Sequence, residues 1–281
     1  MPRMMPLPRF MMLVLPALLV VTLAGPLRAA DRDRLEAFLE ITGFGVALDS
    51  LALSAADAPR MLGMEASDFG SDWERVASEV FDTGEMRNTA LDILSQTLSE
   101  DDLTHAAGLY ASDLGQRLVE VENASHMVKD DSGKRDTGEE MVTEMMRAGD
   151  TRLQVIKKMN AAIDQSGNAV RAVQEVQVRF LMAASHAGVL ERAIDEDSLR
   201  ALLKQGEAEL RIELKAGALA NAAYTYADIS TEDLRAYRDA LEHPRMQRVY
   251  ELMNAVQFEI MAGRYERLAA RMADLHPGQE L

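Results

Sequence analysis

Cysteine is absent from all 281 residues. This absence excludes disulfides, thiolate nucleophiles, zinc ribbons, iron–sulfur clusters and a lipid-modified cysteine at the N-terminus. Basic residues are also scarce, since 30 Lys and Arg stand against 46 Asp and Glu, which gives a net charge of −16. Nucleic acids and anionic lipid surfaces are bound by clustered cations, so we expect no nucleic-acid partner and no binding to anionic lipid.

Proline is rare beyond the first 29 residues. Only Pro59, Pro244 and Pro277 occur there, so none lies between residues 60 and 243. That interval is rich in Ala, Leu, Glu, Arg and Met, which lose little on entering a helix. No segment alternates polar and apolar residues for long enough to predict a strand. The sequence therefore predicts an all-α multi-helix bundle, with two related helical subdomains as one possible arrangement.

Residues 1–29 have the pattern of an export signal. A positive start with Arg3 and Arg9 precedes an apolar run over residues 10–24, and small residues around Ala29 are typical of a cleavage site. An uncleaved anchor is the alternative, but the run is shorter than the roughly 20 residues that a span prefers. Cleavage would leave 27 basic and 46 acidic residues, a net charge of −19. We expect a periplasmic protein with no stable membrane insertion after cleavage.

The rest of the chain divides by composition. Residues 30–129 are expected to form an N-terminal helical unit, residues 130–138 a flexible polar loop, and residues 139–281 a C-terminal helical unit. Within these units we predict single helices from Ser99 to about Lys129 and from Asp195 to about Asn221. Gly43 is expected to end the first helix in a left-handed conformation.

Two segments of the sequence resemble each other. Residues 98–123 and 229–254 align without gaps at an offset of 131, with seven identities in 26 positions. The identical residues are Ser99, Asp102, Leu103, Gln116, Arg117, Glu120 and Asn123, matched by Ser230, Asp233, Leu234, Gln247, Arg248, Glu251 and Asn254. Several are capping or surface residues, which unrelated helices also share. A duplication with a degenerate repeat at 229–255 and a recurrence of common helix signals both remain open.

The first of these segments carries a recognisable pattern. It runs from Leu98-Ser99-Glu100-Asp101-Asp102-Leu103 through Leu109-Tyr110-Ala111-Ser112 to Leu114-Gly115-Gln116-Arg117. The pattern resembles the signature of a bacterial family catalogued as domain of unknown function 2059. It departs from that signature at Leu109, where an aromatic residue is usual, and at Asp113-Leu114. The resemblance covers about residues 34–125, and residues 229–255 more faintly. It implies an exported helical protein of unknown activity.

We interpret the motif residues as structural. Ser99 is expected to cap a helix whose first turn holds Asp102, Tyr110 to pack its ring and Gly115 to permit a close contact. In the second segment, Pro244 is expected in the first turn of the long terminal helix. The full structural set is Ser99, Asp102, Leu103, Tyr110, Gly115, Ser230, Asp233, Leu234 and Pro244.

A metal-dependent enzyme is the main alternative to a binding function. A di-iron site in a helical bundle takes two Glu-x-x-His pairs and two further carboxylates. Asp102 and His105 have that spacing, and Glu122 lies four residues before His126, but these pairs are incomplete. No nucleophile elbow, phosphate loop or dinucleotide fingerprint occurs, so we assign no catalytic residue and no cofactor.

Our leading hypothesis is a non-enzymatic exported module. It would bind a protein, peptide or envelope component in an apolar groove between helices, as the abundant Met and Ala residues favour. The alternative is a periplasmic hydrolase or metal-dependent enzyme with a site assembled from residues distant in sequence.

Overall fold

The computed structural model describes residues 31–190 and 192–275, so the predicted signal peptide over residues 1–29 lies outside the described residues. The described chain forms helices and no strand. The α-helices are α1 (Arg32–Ile41), α2 (Phe44–Ala55), α3 (Trp73–Val80), α4 (Thr83–Thr97), α5 (Glu100–Tyr110), α6 (Asp113–His126), α7 (Asp131–Ala148), α8 (Thr151–Ile163), α9 (Ala169–His186), α10 (Glu196–Gln205), α11 (Glu207–Thr225), α12 (Thr231–Leu241) and α13 (Pro244–Leu275). Two 3-10 helices, Ala58–Leu62 and Ala66–Phe69, connect α2 to α3. The predicted all-α class is confirmed.

Short polar side chains set where many of these helices begin. Each accepts a hydrogen bond from a backbone amide of the first turn, which has no partner within the helix. These N-caps are Asp31, Asp82, Ser99, Ser112, Asp130, Asp150, Asp195 and Ser230. Gly43 adopts the predicted left-handed conformation, with φ of 69°, between α1 and α2.

Two predicted helices are each divided in the structure. The helix expected from Ser99 to about Lys129 stops at Tyr110 and restarts at Asp113, because Ser112 accepts a hydrogen bond from the amide of Gly115 at 3.1 Å. The helix expected from Asp195 to about Asn221 breaks at Gly206.

The prediction of a flexible polar loop over residues 130–138 is wrong. Asp130 caps α7, its side chain accepting a hydrogen bond from the amide of Gly133 at 2.9 Å. Gly138 then allows α7 to lie directly against α11, since a Cβ atom there would stand 2.2 Å from the carbonyl oxygen of Ala220. Composition suggested a loop, whereas capping and this close helix contact make the segment helical.

Two hydrophobic clusters form the interior. The larger joins residues of α1 to α5 with residues of α9 and α13, and the smaller joins Leu118 of α6 with residues of α8, α11 and α12. Each cluster therefore takes side chains from both of the units predicted on either side of residues 130–138. Leu109 and Tyr250 pack against both clusters.

The long helix α13 connects much of the bundle. Its most extensive contact is with α9, and it also contacts α3, α4, α5, α8 and α12. Arg264 is buried on this helix, where it donates hydrogen bonds to the carbonyl oxygen of Val80 at 2.9 Å and to Glu85 Oε2 at 2.7 Å. These two bonds hold the end of α3 and the first turn of α4 against α13.

None of the described helices is by itself long and apolar enough to cross a membrane, while α1 and α2, bent by 70°, meet the length and composition test only as a pair.

Candidate functional site: a polar cavity between the helices

A cavity of about 290 Å³ lies where α2, α6, α8, α11 and α13 meet. Its wall includes Tyr110 and Tyr226, which are buried, and His126, Ala218 and Asn221, which are exposed. The cavity therefore reaches from the buried interior to solvent. Its volume lies at the lower end of the roughly 300–1,000 Å³ range of pockets that enclose small molecules.

Four tyrosine hydroxyls and one carboxylate form a hydrogen-bonded cluster at the inner wall. Tyr226 and Tyr237 both donate to Glu122 Oε1, at 2.6 and 3.1 Å. The hydroxyl of Tyr250 lies 2.7 Å from that of Tyr237 and 2.5 Å from that of Tyr110. No described residue donates a hydrogen bond to the other carboxylate oxygen, Oε2 of Glu122. The cluster thus fixes one oxygen of Glu122 and leaves the second available.

Burial dominates the electrostatics of this cluster. It raises the pKa of Glu122 to about 7, although the hydrogen bonds from Tyr226 and Tyr237 act in the opposite direction. Burial also raises the pKa of Tyr110, Tyr226, Tyr237 and Tyr250, so the four phenols stay neutral. Glu122 consequently gains or loses its proton near neutral pH, and the four phenols around it are uncharged.

Amide side chains supply most of the remaining polar wall. They are Asn123, Asn160, Asn221, Asn254 and Gln257. Asn254 donates to the carbonyl oxygen of Ile163 at 3.0 Å, whereas the side chains of the other four make no hydrogen bond to any described residue. Oδ1 of Asn123 is moreover buried without a partner. Buried polar atoms are normally paired, so Asn123 Oδ1 is an exception, while the amides of Asn160, Asn221 and Gln257 present free donors and acceptors at the wall.

The first predicted motif lies next to this cavity and partly inside it. Ser99 caps α5 and accepts a hydrogen bond from the amide of Asp102 at 3.2 Å, while Leu103 is buried in the larger cluster. Tyr110 is both a motif residue and a member of the hydroxyl cluster. A Cβ atom on Gly115 would meet the carbonyl oxygen of Leu109 at 2.2 Å, so only glycine permits the tight α5–α6 turn.

The second motif has the same local structure. Ser230 caps α12 and accepts from the amide of Asp233 at 3.0 Å, Leu234 is fully buried, and Pro244 begins α13. At the offset of 131, the bounds of α5 coincide with those of α12, and the first residue of α6 coincides with that of α13.

Two ion pairs also connect the motifs, each between an aspartate of one motif and an arginine of the other. Arg248 Nη2 lies 2.7 Å from Asp102 Oδ1, and Arg117 Nη2 lies 3.1 Å from Asp233 Oδ2. Arg117 and Arg248 are equivalent at the offset of 131, as are Asp102 and Asp233. The equivalent Asn123 and Asn254 both line the cavity.

The four residues that the sequence suggested as metal ligands make other contacts in the structure. Asp102 pairs with Arg248, and the ring of His105 stacks on His243 with a centroid separation of 4.2 Å. Glu122 is held by tyrosines, while His126 lies on the exposed part of the cavity wall. Among the described residues, no group of three or more His, Asp or Glu is arranged to hold a metal ion.

Fold and cavity together define an all-helical protein with a polar, carboxylate-containing cavity between its helices. Residues 84–154, from the start of α4 into α8, match a family described as an uncharacterised protein conserved in bacteria (DUF2059). The resemblance inferred from residues 98–117 is thereby confirmed. No curated protein and no solved structure matches this chain.

Sequence reasoning named Tyr110, Glu122 and His126, and named Asn123 and Asn254 as equivalent residues, but it did not place them together and missed the remaining tyrosines. Tyr226, Tyr237 and Tyr250 belong to no motif, and they meet Glu122 only through tertiary packing. A weak signal was present, since only six tyrosines occur in the chain and five lie after residue 223. Sequence reasoning did not single out the lining residues Tyr226, Tyr250, Asn160, Asn221 and Gln257, nor Tyr237, which bonds to Glu122 from behind the wall.

Proposed function

We propose that this protein is a binding protein whose inter-helix cavity holds a small polar molecule. The observation that carries the proposal is the set of amide side chains that line the cavity without a hydrogen-bond partner among the described residues, next to Oε2 of Glu122. Asn221 is exposed and Asn123, Asn160 and Gln257 are half-buried, so their free donors and acceptors can pair with a polar molecule that enters the cavity. Phe44, Ile163 and Met253 add apolar surface to the wall, and the amides and Glu122 favour a ligand with polar groups over the wholly apolar segment expected from composition.

A blocked cavity provides the test. Ala218 lines the cavity and is exposed, so Ala218→Trp would fill the entrance without disturbing the core. Ala216→Trp is the matched control, because Ala216 is exposed on the same helix and does not line the cavity. Thermal unfolding of the three proteins is measured against a panel of neutral, cationic and anionic polyols, amino acids and amines.

We expect some members of the panel to raise the Tm of the wild type and of Ala216→Trp but not of Ala218→Trp, because a ligand of the folded state stabilises it. A cavity that is filled by water only would give no such difference. Equal stabilisation of all three proteins, or stabilisation of none, would contradict the proposal.

We also propose that the protein acts in the periplasm after removal of residues 1–29. The basic start, the apolar run and the small residues around Ala29 support this location. Fractionation of a Gram-negative host should recover a chain that begins at Ala30 in the periplasmic extract. Leu18→Arg, which interrupts the apolar run, should leave full-length protein in the cytoplasm. Wild-type protein that stays in the cytoplasm at full length would refute export.

We further propose that α5–α6 and α12–α13 descend from one duplicated helix pair. Three features support this proposal: the helix bounds, the Ser caps and the Asp–Arg pairs between the motifs all coincide at a single offset. Unrelated helices would share only some of these features. On this account the cavity lies between the two copies, since Asn123 and Asn254 enter it from equivalent positions. Related sequences should align the two segments at one common offset, with more identities than here in some of them. Related sequences in which the two segments never align better than unrelated helices would contradict a shared origin.

A further inference from the structure

The charges around the cavity restrict what it can hold. Glu122 supplies the carboxylate and His126 the imidazole among its lining residues, beside three neutral tyrosines, and no Lys or Arg belongs to the described lining. An anionic ligand would therefore find a carboxylate and no Lys or Arg among the described lining residues. The nearby cation of α7, Lys134, donates from Nζ to the carbonyl oxygen of Ser125 at 3.0 Å. The chain as a whole is strongly acidic, which also favours approach of a cation.

The geometry of Glu122 provides a specific anchor. Its Oε1 is held by Tyr226 and Tyr237, which orient the carboxylate, while Oε2 accepts no hydrogen bond from a described residue. An ammonium group has three donors and no acceptor. It can donate to Oε2 and to further side-chain oxygens of the wall.

From this arrangement we infer that the ligand is a small organic cation with a primary ammonium group bound at Oε2 of Glu122 and with further hydroxyl or amide groups bound by Asn160, Asn221 and Gln257. This inference rests on the proposed function and specifies its ligand class. The volume of about 290 Å³ suits a free small molecule rather than a folded segment of a partner.

Proton exchange at Glu122 supports the same class. Its pKa of about 7 means that the empty site is partly protonated at neutral pH, and a bound ammonium ion favours the ionised form. The proton therefore passes to the buffer when the cation binds. The ionisable groups that face Glu122 are Tyr226 after α11, Tyr237 on α12, Tyr250 on α13 and Tyr110 on α5, with His126 farther along its own helix.

Three acyclic polyols that differ only at one end test the inference. They are glucamine, which ends in an ammonium group, sorbitol, which ends in a hydroxyl group, and gluconate, which ends in a carboxylate. Binding to the full mature chain is measured by calorimetry at pH 8. We expect glucamine to bind at least about tenfold more tightly than sorbitol and gluconate to bind most weakly.

Glu122→Gln is the decisive variant, because a glutamine Oε1 still accepts the hydrogen bonds of Tyr226 and Tyr237. In this variant glucamine and sorbitol should bind within about twofold of each other. A preference for glucamine that survives the substitution would overturn the inference. Equal binding of glucamine and sorbitol to the wild type would also overturn it, while leaving the proposed polar-ligand function intact.

A second measurement does not depend on a variant. Glucamine binding to the wild type at pH 7 in buffers of different ionisation enthalpy should reveal proton release, and absence of release would contradict binding at Glu122. A capped Gly-Lys-Gly peptide is measured alongside, because a lysine side chain also carries an ammonium group. Tighter binding of the peptide than of glucamine would overturn the assignment to a free amine. If none of the polyols binds, the inference fails, and the Ala218→Trp screen decides the proposed function separately.

Discussion

Glu122 makes the stability of the folded protein depend on pH. Its pKa is about 7 in the folded state, because burial disfavours the charged form, against about 4.3 for an unfolded glutamic acid. Between these values the folded chain binds more protons than the unfolded chain. The free energy of unfolding therefore falls as pH rises through this window, by at most about 4 kcal/mol, and stays reduced above it.

Glu122→Gln should remove this dependence, since glutamine resembles the protonated acid and does not ionise. Urea unfolding from pH 5 to pH 8.5 should show a smaller decline for the variant than for the wild type. Glu120→Gln, at an exposed position of the same helix, serves as the control and should retain the wild-type decline. Parallel curves for the wild type and Glu122→Gln would show that the carboxylate is not buried in solution.

Asp102 and Asp233 are equivalent residues in different environments. The side chain of Asp102 is only 10% exposed and is contacted by Arg248, Arg245 and Ser99, whereas the side chain of Asp233 is 34% exposed and is contacted by Arg117. Burial by itself would raise the pKa of Asp102, but the hydrogen bonds from Arg248 and Ser99 outweigh it and lower that pKa. Asp102 therefore depends on its partners more than Asp233 does.

Substitution by asparagine should expose this difference. We expect Asp102→Asn to reduce the free energy of unfolding by about 1–3 kcal/mol and Asp233→Asn by less than about 1 kcal/mol. Double-mutant cycles with Arg248→Gln and Arg117→Gln should give the larger coupling for the Asp102 pair. Similar couplings for the two pairs would contradict the role assigned to burial.

At the scale of helices, α7 depends on one close contact. Gly138 is its buried residue, and a Cβ atom there would stand 2.2 Å from the carbonyl oxygen of Ala220 on α11. A backbone carbonyl cannot move aside as a flexible side chain can, so alanine would force the two helices apart. The position of α7, which packs mainly on α11, is therefore sensitive to one methyl group.

Gly138→Ala should destabilise the protein by roughly 1–3 kcal/mol and speed amide hydrogen exchange in α7, although alanine favours helix more than glycine does. Gly217→Ala on α11 is the matched control, because a Cβ atom added at Gly217 would have no neighbouring atom within 4 Å. That substitution should stabilise by up to about 1 kcal/mol. Stabilisation by both changes would refute the close α7–α11 contact.

At the scale of the whole molecule, the two hydrophobic clusters share helices and side chains. Because α13 packs against α8 and α12 as well as α3, α4, α5 and α9, neither cluster can separate without exposing apolar surface of the other. Leu109 and Tyr250 belong to the boundary of both clusters. The molecule should therefore unfold as one cooperative unit.

Fluorescence and circular dichroism can test this cooperativity. Trp73 is the single tryptophan of the chain and is buried in the larger cluster, whereas the far-ultraviolet signal reports all helices. We expect the two urea transitions to coincide in midpoint and slope. Separate transitions would mean that the clusters unfold independently.

Part of this architecture follows from local sequence. Ser99 and Ser230 cap helices where the pattern places them, and Gly43 adopts its left-handed conformation. These features act within about one helical turn, so neighbouring residues suffice to predict them. Local sequence wrongly predicts a loop over residues 130–138, because the contact that stabilises this segment as part of α7 comes from a helix remote in sequence, α11.

Composition and short-range pattern are enough to establish the helical class, the absence of cysteine chemistry, the acidic charge and the family resemblance. The environment of Glu122, in contrast, depends on tertiary packing. Spacing paired this residue with His126, but the fold brings to it the hydroxyls of Tyr226 and Tyr237, from 104 and 115 residues away. Burial and long-range contact set the properties of such a carboxylate, and the residues adjacent to it in sequence specify neither.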